Sequence, residues 1–581
     1  MPTTHPTTLP LSSPTALSAR LDRRDLLPLC LILVVFITLA ALFLPHQSLW
    51  QDEATQLRGL AMTPAELLSF VTGRHAPIGV SPDRSPPLAY WAGQFWSSLF
   101  GLSEHSMRWF GLTCTALAIA FTYAAGRRFG RVPAILAASF LAVSPTVITT
   151  SVEIRSYPLF LLLSAAAFLI AGSLTGGMVL RSSQDHVAAR GAILTIVLIA
   201  TIYTHFFGLL LAGAILSAWL LESLLRRQSL ILPILVSLIV FASAGGLYPF
   251  VHAAKSVSGA APEQSSILLS LVKFPIHILA PAPMRFSLIG SGILFSPLVL
   301  ALAAAVIALP LGLFRAAASA RSRPLAFAVS AGLLAVAFAA VVVKGFNPLA
   351  PNYNVWLLPP LAILLGLAAA AVRRPIRFVG ATAAIALLTA SAFGSIQLIH
   401  HAPAFAHGPQ SQIFALIDQY GPQNVTLIQD LDVDAGASPT PPPGEDFSIL
   451  FPLRLHYGPA LQRYSVNPQS LATAWDDNAR VANNLGQWEW SHGDFGGPLF
   501  RLAPDTVPFP PPLRQYVIIL RTRDYTGEDL AAAIKSPPQP LPPGPAAAAL
   551  AANPDYHKIS SSLHLALVSA QVTIYERNES K

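Results

Sequence analysis

Charge is what this sequence has least of. Asp, Glu, Lys and Arg make up 11% of its 581 residues, against about 25% in an ordinary soluble domain, so most of the chain is excluded from being a water-solvated globule. Cysteine is nearly absent. Cys30 and Cys114 are the only two, and both fall inside apolar runs, so no disulfide frame holds a secreted region together. No Gly-rich phosphate loop of Walker type is visible, no His/Cys group has metal-ligand spacing, and no internal repeat is found. The net charge of +8 comes from small arginine clusters between apolar blocks. These form no continuous basic face, which argues against nucleic acid as a partner.

What is abundant is hydrocarbon. Hydrophobic residues account for 53% of the chain, in blocks of roughly twenty, the length a helix needs to cross about 30 Å of lipid. The expected fold is an α-helical polytopic membrane protein, with no barrel. The first block, Leu26–Leu44, follows Arg20, Arg23 and Arg24. It exceeds a signal-peptide core and lacks a small-x-small cleavage site before Asp52, so it is expected to be retained behind a cytoplasmic tail, residues 1–25. Further spans are read at 109–125, 132–147, 158–174, 191–204, 206–225, 231–251, 289–314, 325–343, 355–372 and 378–398, about eleven in all. The stretch 191–225 could be one helix or two. Basic residues flank both its ends, Arg181 and Arg190 before and Arg226 and Arg227 after, so the positive-inside rule requires two crossings that meet near His205.

Every second loop is then basic and cytoplasmic, which places the other set outside: the first outer loop 46–107, the turn 149–157, the tip at His205, the loop 252–285, the turn 344–354 and everything after His400. The expected setting is the cytoplasmic membrane, with residues 26–400 as the transmembrane domain and residues 401–581 as an extracytoplasmic C-terminal α/β domain. Within the first outer loop, "TPAE" (Thr63–Glu66) is a capping box with Pro64 at the first helical position, which predicts a short helix to about Val71. A second helix is expected over Leu88–Leu102, with an aromatic face suited to the headgroup boundary. In the tail, helix is expected over Gln410–Tyr420, stopping at Gly421, and strand over Asn424–Gln429, Tyr516–Arg521 and Leu563–Glu576. Proline-rich connectors at 439–444, 508–512 and 537–545 separate these elements.

Four outer segments carry unusual polarity for a membrane edge: Asp52-Glu53, "SPDRSPPLAYW" (Ser81–Trp91), "VEIRSYP" (Val152–Pro158) and "YTHFFG" (Tyr203–Gly208). Each has a plain reading. The acids could simply start a helix, favoured by its dipole; Arg84 could pair with Asp83, and Glu153 with Arg155; His205 could close a span end. Together, on one side of the membrane, a carboxylate, two arginines and a histidine are the groups that activate a hydroxyl and neutralise a phosphate leaving group. An outward site lacks nucleotide-activated donors, so a sugar carried on polyprenyl phosphate fits the compartment.

In order and spacing, "LWQDEA" after the first span, "SPPLAYWAGQFWSSLFGLSEHSMRWFGL" (Ser85–Leu112), "SVEIRSYPLFLLLS" (Ser151–Ser164) and the segment Tyr203–Leu211 resemble the GT-C membrane glycosyltransferases, in particular the protein O-mannosyltransferase and aminoarabinose-transferase group. The resemblance spans about residues 26–400. It implies an inverting glycosyltransferase, mannosyltransferase-like, that moves a sugar from a polyprenyl-phosphate donor to a protein, lipid or polysaccharide acceptor hydroxyl at the outer face. It implies Asp52 as catalytic base and Glu53 as its neighbour in the catalytic pair, supporting structure or acceptor contacts. Arg84, Arg155, Tyr157 and His205 are the implied donor-phosphate residues. Glu104 and Arg108, four residues apart, are read as a pair fixing the second span's entry, and Tyr353 as site support. Two departures stand out: Ser85 precedes the proline pair where many relatives carry His or Lys, and Asn352-Tyr353-Asn354 replaces an Arg-Tyr, so that a phosphate contact is either missing or supplied by Lys344. No cofactor is required, although a carboxylate-held divalent metal stays open. The competing readings are a transporter or flippase of a lipid-linked molecule, for which repeats and broken charged helices would speak, and an inactive relative whose tail binds protein.

Overall fold

The computed structural model describes residues 23–47, 51–72, 85–175, 184–257, 297–342, 349–370, 374–430, 460–466, 500–502, 513–524, 527–536, 539–541, 543–566 and 568–578, with a few isolated positions between them. Arg84, Lys344 and most of the three proline-rich connectors lie outside the described residues.

The molecule is a multi-pass helical bundle. Its membrane part runs α1 (Arg23–Phe43), α2 (Gln51–Leu60), α3 (Pro64–Val71), α4 (Leu88–Phe100), α5 (Glu104–Arg127), α6 (Arg131–Ala142), α7 (Pro145–Ser151), α8 (Tyr157–Thr175), α9 (Gln184–Thr204), α10 (Gly208–Leu225), α11 (Ile231–Ala244), α12 (Tyr248–Val257), α13 (Pro297–Ala318), α14 (Arg323–Val342), α15 (Leu358–Ala369) and α16 (Arg374–His400). Among the described residues 10 helices are long and apolar enough to cross a membrane, or up to 11 if α6 and α7, bent by 60°, form one broken span. The break falls at Ser144-Pro145, where the proline opens α7 at its first turn. The stretch 191–225 is two helices joined by a tight turn at His205–Phe207.

The order of burial follows composition. Helix α15, LPPLAILLGLAA, contains no charged residue and every one of its residues is buried; it packs against α5, α6, α13 and α16. Helices at the periphery instead show large apolar side chains outward, such as Ile196, Leu238, Phe314 and Phe338, as lipid-facing surfaces do. In lipid the apolar effect does not drive helices together, so close backbone approach does. Gly312 of α13 lies against the Leu364 carbonyl of α15, and Gly366 of α15 against the backbone of Pro133, with no space for a Cβ at either place. Where α1, α5, α10 and α14 end away from α2, buried acids hold arginines: Asp25 takes Arg127 at 2.9 Å and the Tyr123 hydroxyl at 3.2 Å, and Glu222 takes Arg226 and Arg323.

In the first outer loop the capping box forms as read, with the Thr63 hydroxyl at the Glu66 N–H and the Glu66 carboxylate at 2.8 Å from the Thr63 N–H. Helix α4 exposes Phe95, Leu99 and Phe100 and buries Tyr90 against α2. After α17 (Ala402–Phe405), helix α18 (Gln410–Tyr420) ends at Gly421, whose φ of 78° lies in the left-handed region glycine tolerates. The tail then builds a six-stranded sheet of β1 (Val425–Asp430), β2 (Gln462–Val466), β3 (Phe500–Leu502), β4 (Tyr516–Asp524), β5 (Tyr556–His564) and β6 (Val568–Arg577), with helices α19 (Gly527–Lys535) and α20 (Pro545–Ala552). The order is β3-β2-β1-β4-β6-β5; the first four strands are parallel and the β5–β6 hairpin runs antiparallel at one edge. The expected single run Leu563–Glu576 takes in the end of β5, the turn of this hairpin and nearly all of β6. The turn is closed by Ser569, whose hydroxyl accepts from the Ala566 N–H and donates to the Ala566 carbonyl.

The close approach of α13 and α15 predicts that Gly312→Ala lowers the melting temperature in detergent, by an overpacking cost of about 1–3 kcal/mol. Gly213→Ala on α10, where nothing lies within 4 Å of the new methyl, should be neutral or gain up to about 1 kcal/mol from helix propensity. Equal behaviour of the two variants in thermal unfolding contradicts this packing account.

Candidate active site

The adjacent acids Asp52 and Glu53 occupy the first turn of α2, where the helix dipole favours negative charge. One residue of helix is about 100° of rotation, so the two carboxylates leave the helix in different directions. Glu53 points inward and is 0% exposed. Its Oε1 accepts from the Ile154 N–H at 2.8 Å and from Arg108 Nη1 at 3.2 Å, and its Oε2 accepts from Arg108 Nη2 at 3.3 Å. Arg108 reaches further: its Nε and Nη2 donate to Glu104 Oε1 at 3.0 and 2.8 Å, and its Nη1 donates to the Val152 carbonyl. Burial raises the Glu53 carboxyl above its ordinary value, against the opposing pull of Arg108, His407 and the Ile154 N–H. The Glu104–Arg108 pair read from the sequence is therefore one arm of a three-residue clamp, and Glu53 is the other.

Asp52 faces out. Its side chain is 44% exposed, and its Oδ2 lies 3.5 Å from Arg155 Nη2. Arg155 Nη1 also donates to the Asp52 carbonyl at 3.2 Å, so the guanidinium is held by the same turn of α2 it faces. The plain reading that Glu153 and Arg155 pair in their turn does not hold: the turn 152–156 sends them apart. Arg155 goes to Asp52. Glu153 is buried with its Oε1 3.6 Å from His407 Nε2, and its Oε2 has no hydrogen-bond partner among the described residues.

Behind Arg155 lies an aromatic cluster. The Arg155 Cζ sits 5.9 Å from the Tyr157 ring centre, and Tyr157 lies 5.8 Å from His205 and 6.2 Å from Tyr353. His205 stacks on Phe160 at 5.1 Å and lies 5.4 Å from Tyr353, with Phe207 against both. The Phe207 N–H donates to His205 Nδ1 at 3.2 Å, which leaves the ring proton on Nε2. Burial, with the positive Arg155 beside it, pushes His205 down to about 3, so it offers a neutral N–H and carries no charge at physiological pH.

The structure thus brings together Asp52, Arg155, Tyr157, His205 and Tyr353 from four parts of the chain, and sets Glu53, Glu104 and Arg108 beneath them as a clamp. Arg84 lies outside the described residues. Phe160, Phe207 and His407 were not singled out from the sequence; Phe160 and Phe207 read there as ordinary span residues, and His407 sits in the tail, far from any site motif. Among the described residues no group of three or more His, Cys, Asp or Glu side chains is placed to hold a metal ion.

With this geometry established, the chain can be compared with known proteins. No curated protein sequence matches it. Among solved structures it is similar to ArnT from Cupriavidus metallidurans bound to undecaprenyl phosphate, at 14% identity and a TM-score of 0.48 over 94% of this chain and 97% of that one. It is similar also to the oligosaccharyltransferase AglB from Archaeoglobus fulgidus, in complex with an inhibitory peptide and a dolichol-phosphate, at 12% identity and a TM-score of 0.38 over 68% of this chain and 62% of that one. Residues 84–245, the segment that carries Arg108, Arg155, Tyr157 and His205, match the family of dolichyl-phosphate-mannose-protein mannosyltransferases.

Proposed function

We propose that this protein is an inverting membrane glycosyltransferase that takes its sugar from a polyprenyl-phosphate donor and delivers it to an acceptor hydroxyl at the outer face of the cytoplasmic membrane. One observation carries the reading: a partly exposed carboxylate, Asp52, in contact with a guanidinium, Arg155, at the mouth of a buried aromatic cluster. The match of residues 84–245 to a family described by its lipid-phosphate-mannose donor supports the donor class. Mannose is the sugar that this description favours.

In this reaction the acceptor hydroxyl lies at Asp52, which takes its proton as the oxygen attacks the anomeric carbon. The bond from that carbon to the phosphate oxygen breaks, and the phosphate leaves towards Arg155, whose planar fork binds oxygens in pairs. The neutral His205 Nε2–H and the Tyr157 hydroxyl are further donors beside it. Attack on one face and departure from the other inverts the anomeric centre. The rings of Tyr157, Phe160, Phe207 and Tyr353 exclude water, which strengthens these contacts. Glu53 takes no part in proton transfer; it fixes α2 to Arg108.

Purified protein or membranes given radiolabelled polyprenyl-phosphate mannose, with label followed into protein, glycolipid and polysaccharide fractions, tests the proposal. Wild type should transfer label. Asp52→Asn should lose about 10²–10⁴-fold in transfer rate with thermal stability unchanged to within about 0.5 kcal/mol. Glu53→Gln should instead lose about 3 kcal/mol of stability, as a buried pair broken on one side does. Full transfer by Asp52→Asn removes it as the base, and no transfer by wild type from any of several donor sugars removes the proposal.

The pH profile is a further check. Because His205 has its pKa near 3, it stays neutral from pH 5 to 8. Any ionisation seen in the transfer rate over that range should therefore persist in His205→Gln, even where that variant lowers the rate. Loss of such a limb in the variant contradicts the neutral assignment.

A further inference from the structure

At the end of the bundle opposite Asp52, one arginine has been treated differently from its neighbours. Arg127 pairs with Asp25, and Arg226 and Arg323 share Glu222. Arg128, which caps α5, is only 8% exposed, yet among the described residues its Nε and Nη1 have no hydrogen-bond partner. Its guanidinium lies over Gly172 of α8, where a Cβ would meet Nη1, so glycine at this position makes the room it occupies. Burial, together with the like charges of Arg190 on α9 and Arg321 in the turn before α14, pushes it down to about 10. A buried cation among cations is costly unless an anion joins it.

A small apolar crevice of about 40 Å³ lies beside it. Phe129, the next residue, and Ala171 and Thr175, on either side of Gly172, line it together with Trp219, Leu325 and Ala328 from the neighbouring helices. Arg128 directly follows the span Glu104–Arg127, and a basic group between helix ends at that depth matches the phosphate of an anionic lipid head.

We infer that Arg128, with Arg190 and Arg321, binds the phosphate of an anionic phospholipid from the adjacent leaflet, where the end of α5 meets Gly172 of α8. The planar guanidinium of Arg128 supplies paired donors to the phosphate oxygens, and Arg190 and Arg321, both half-exposed, close on it from the headgroup side. The site lies at the far end of α5 from Arg108, so it is independent of the proposed transfer chemistry.

The test is thermal unfolding of the full chain in a neutral detergent, with added dioleoyl-phosphatidylglycerol, dioleoyl-phosphatidylcholine or inorganic phosphate. Phosphatidylglycerol should raise the wild-type melting temperature by about 3 °C or more at saturation. Phosphatidylcholine and inorganic phosphate should each give less than a third of that. Without anionic lipid Arg128→Gln should melt at or above the wild-type temperature, since an unmatched buried charge is gone; a merely structural arginine would show a loss. With phosphatidylglycerol the variant should lose the increment. The inference is overturned if phosphatidylcholine matches phosphatidylglycerol, if inorganic phosphate alone reproduces the shift, or if Arg128→Gln keeps it in full. If that variant does not fold, Arg321→Gln decides: a reduced increment supports the site, and an unchanged one removes it.

Discussion

The interaction on which the site depends is the buried clamp of Glu53 on Arg108. It joins three pieces of chain that are far apart in sequence: the start of α2, the first turn of α5 and the turn 152–154 that leads into α8. Each charged group here would be costly alone in an apolar surrounding, and each is satisfied by the others. Because Glu53 is locked, the residue before it is locked as well. Asp52 can be half in solvent and still be positioned, since its backbone carbonyl also holds Arg155.

The same economy of charge organises the whole membrane part. With so few ionisable groups, nearly every one in the bundle interior is placed in a small cluster: Glu53 with Arg108 and Glu104 at one end, Asp25 with Arg127 and Tyr123 and Glu222 with Arg226 and Arg323 at the other. Between them, contact depends on small residues and on the uncharged helix α15. The clusters fix rotation and depth of the helices where apolar packing, equal on all sides in lipid, does not.

Local signals in the sequence translated well. The Thr63 capping box, the stop at Gly421 and the split of 191–225 at His205 each depend on residues within a few positions of one another, or on the charge of a flanking loop, and each is found where its residues put it. The division of labour within Asp52-Glu53 was only partly legible, because which of two neighbouring acids turns inward depends on Arg108 and Ile154. The pairing of Arg155 with Asp52 in place of Glu153 is likewise a tertiary choice. The meeting of Glu153 with His407 and the burial of Arg128 had no signal at all, since both depend on how distant helices pack. In the tail, alternation marked the strands, but the Ala566 turn interrupts a run whose pattern continues across it.

The exposure of Asp52 bears on how a cycle would end. In the proposed transfer the base finishes protonated, and the lipid phosphate finishes as a monoester with more negative charge than the donor carried, which alone would hold it on Arg155. A base sealed in the interior would keep its proton and leave that product bound. Asp52 is open to water and 3.5 Å from Arg155, so it can shed the proton to solvent and, once charged again, compete with the phosphate for the same guanidinium. In the proposed transfer, solvent access at this one carboxylate therefore serves both the resetting of the base and the release of the spent lipid.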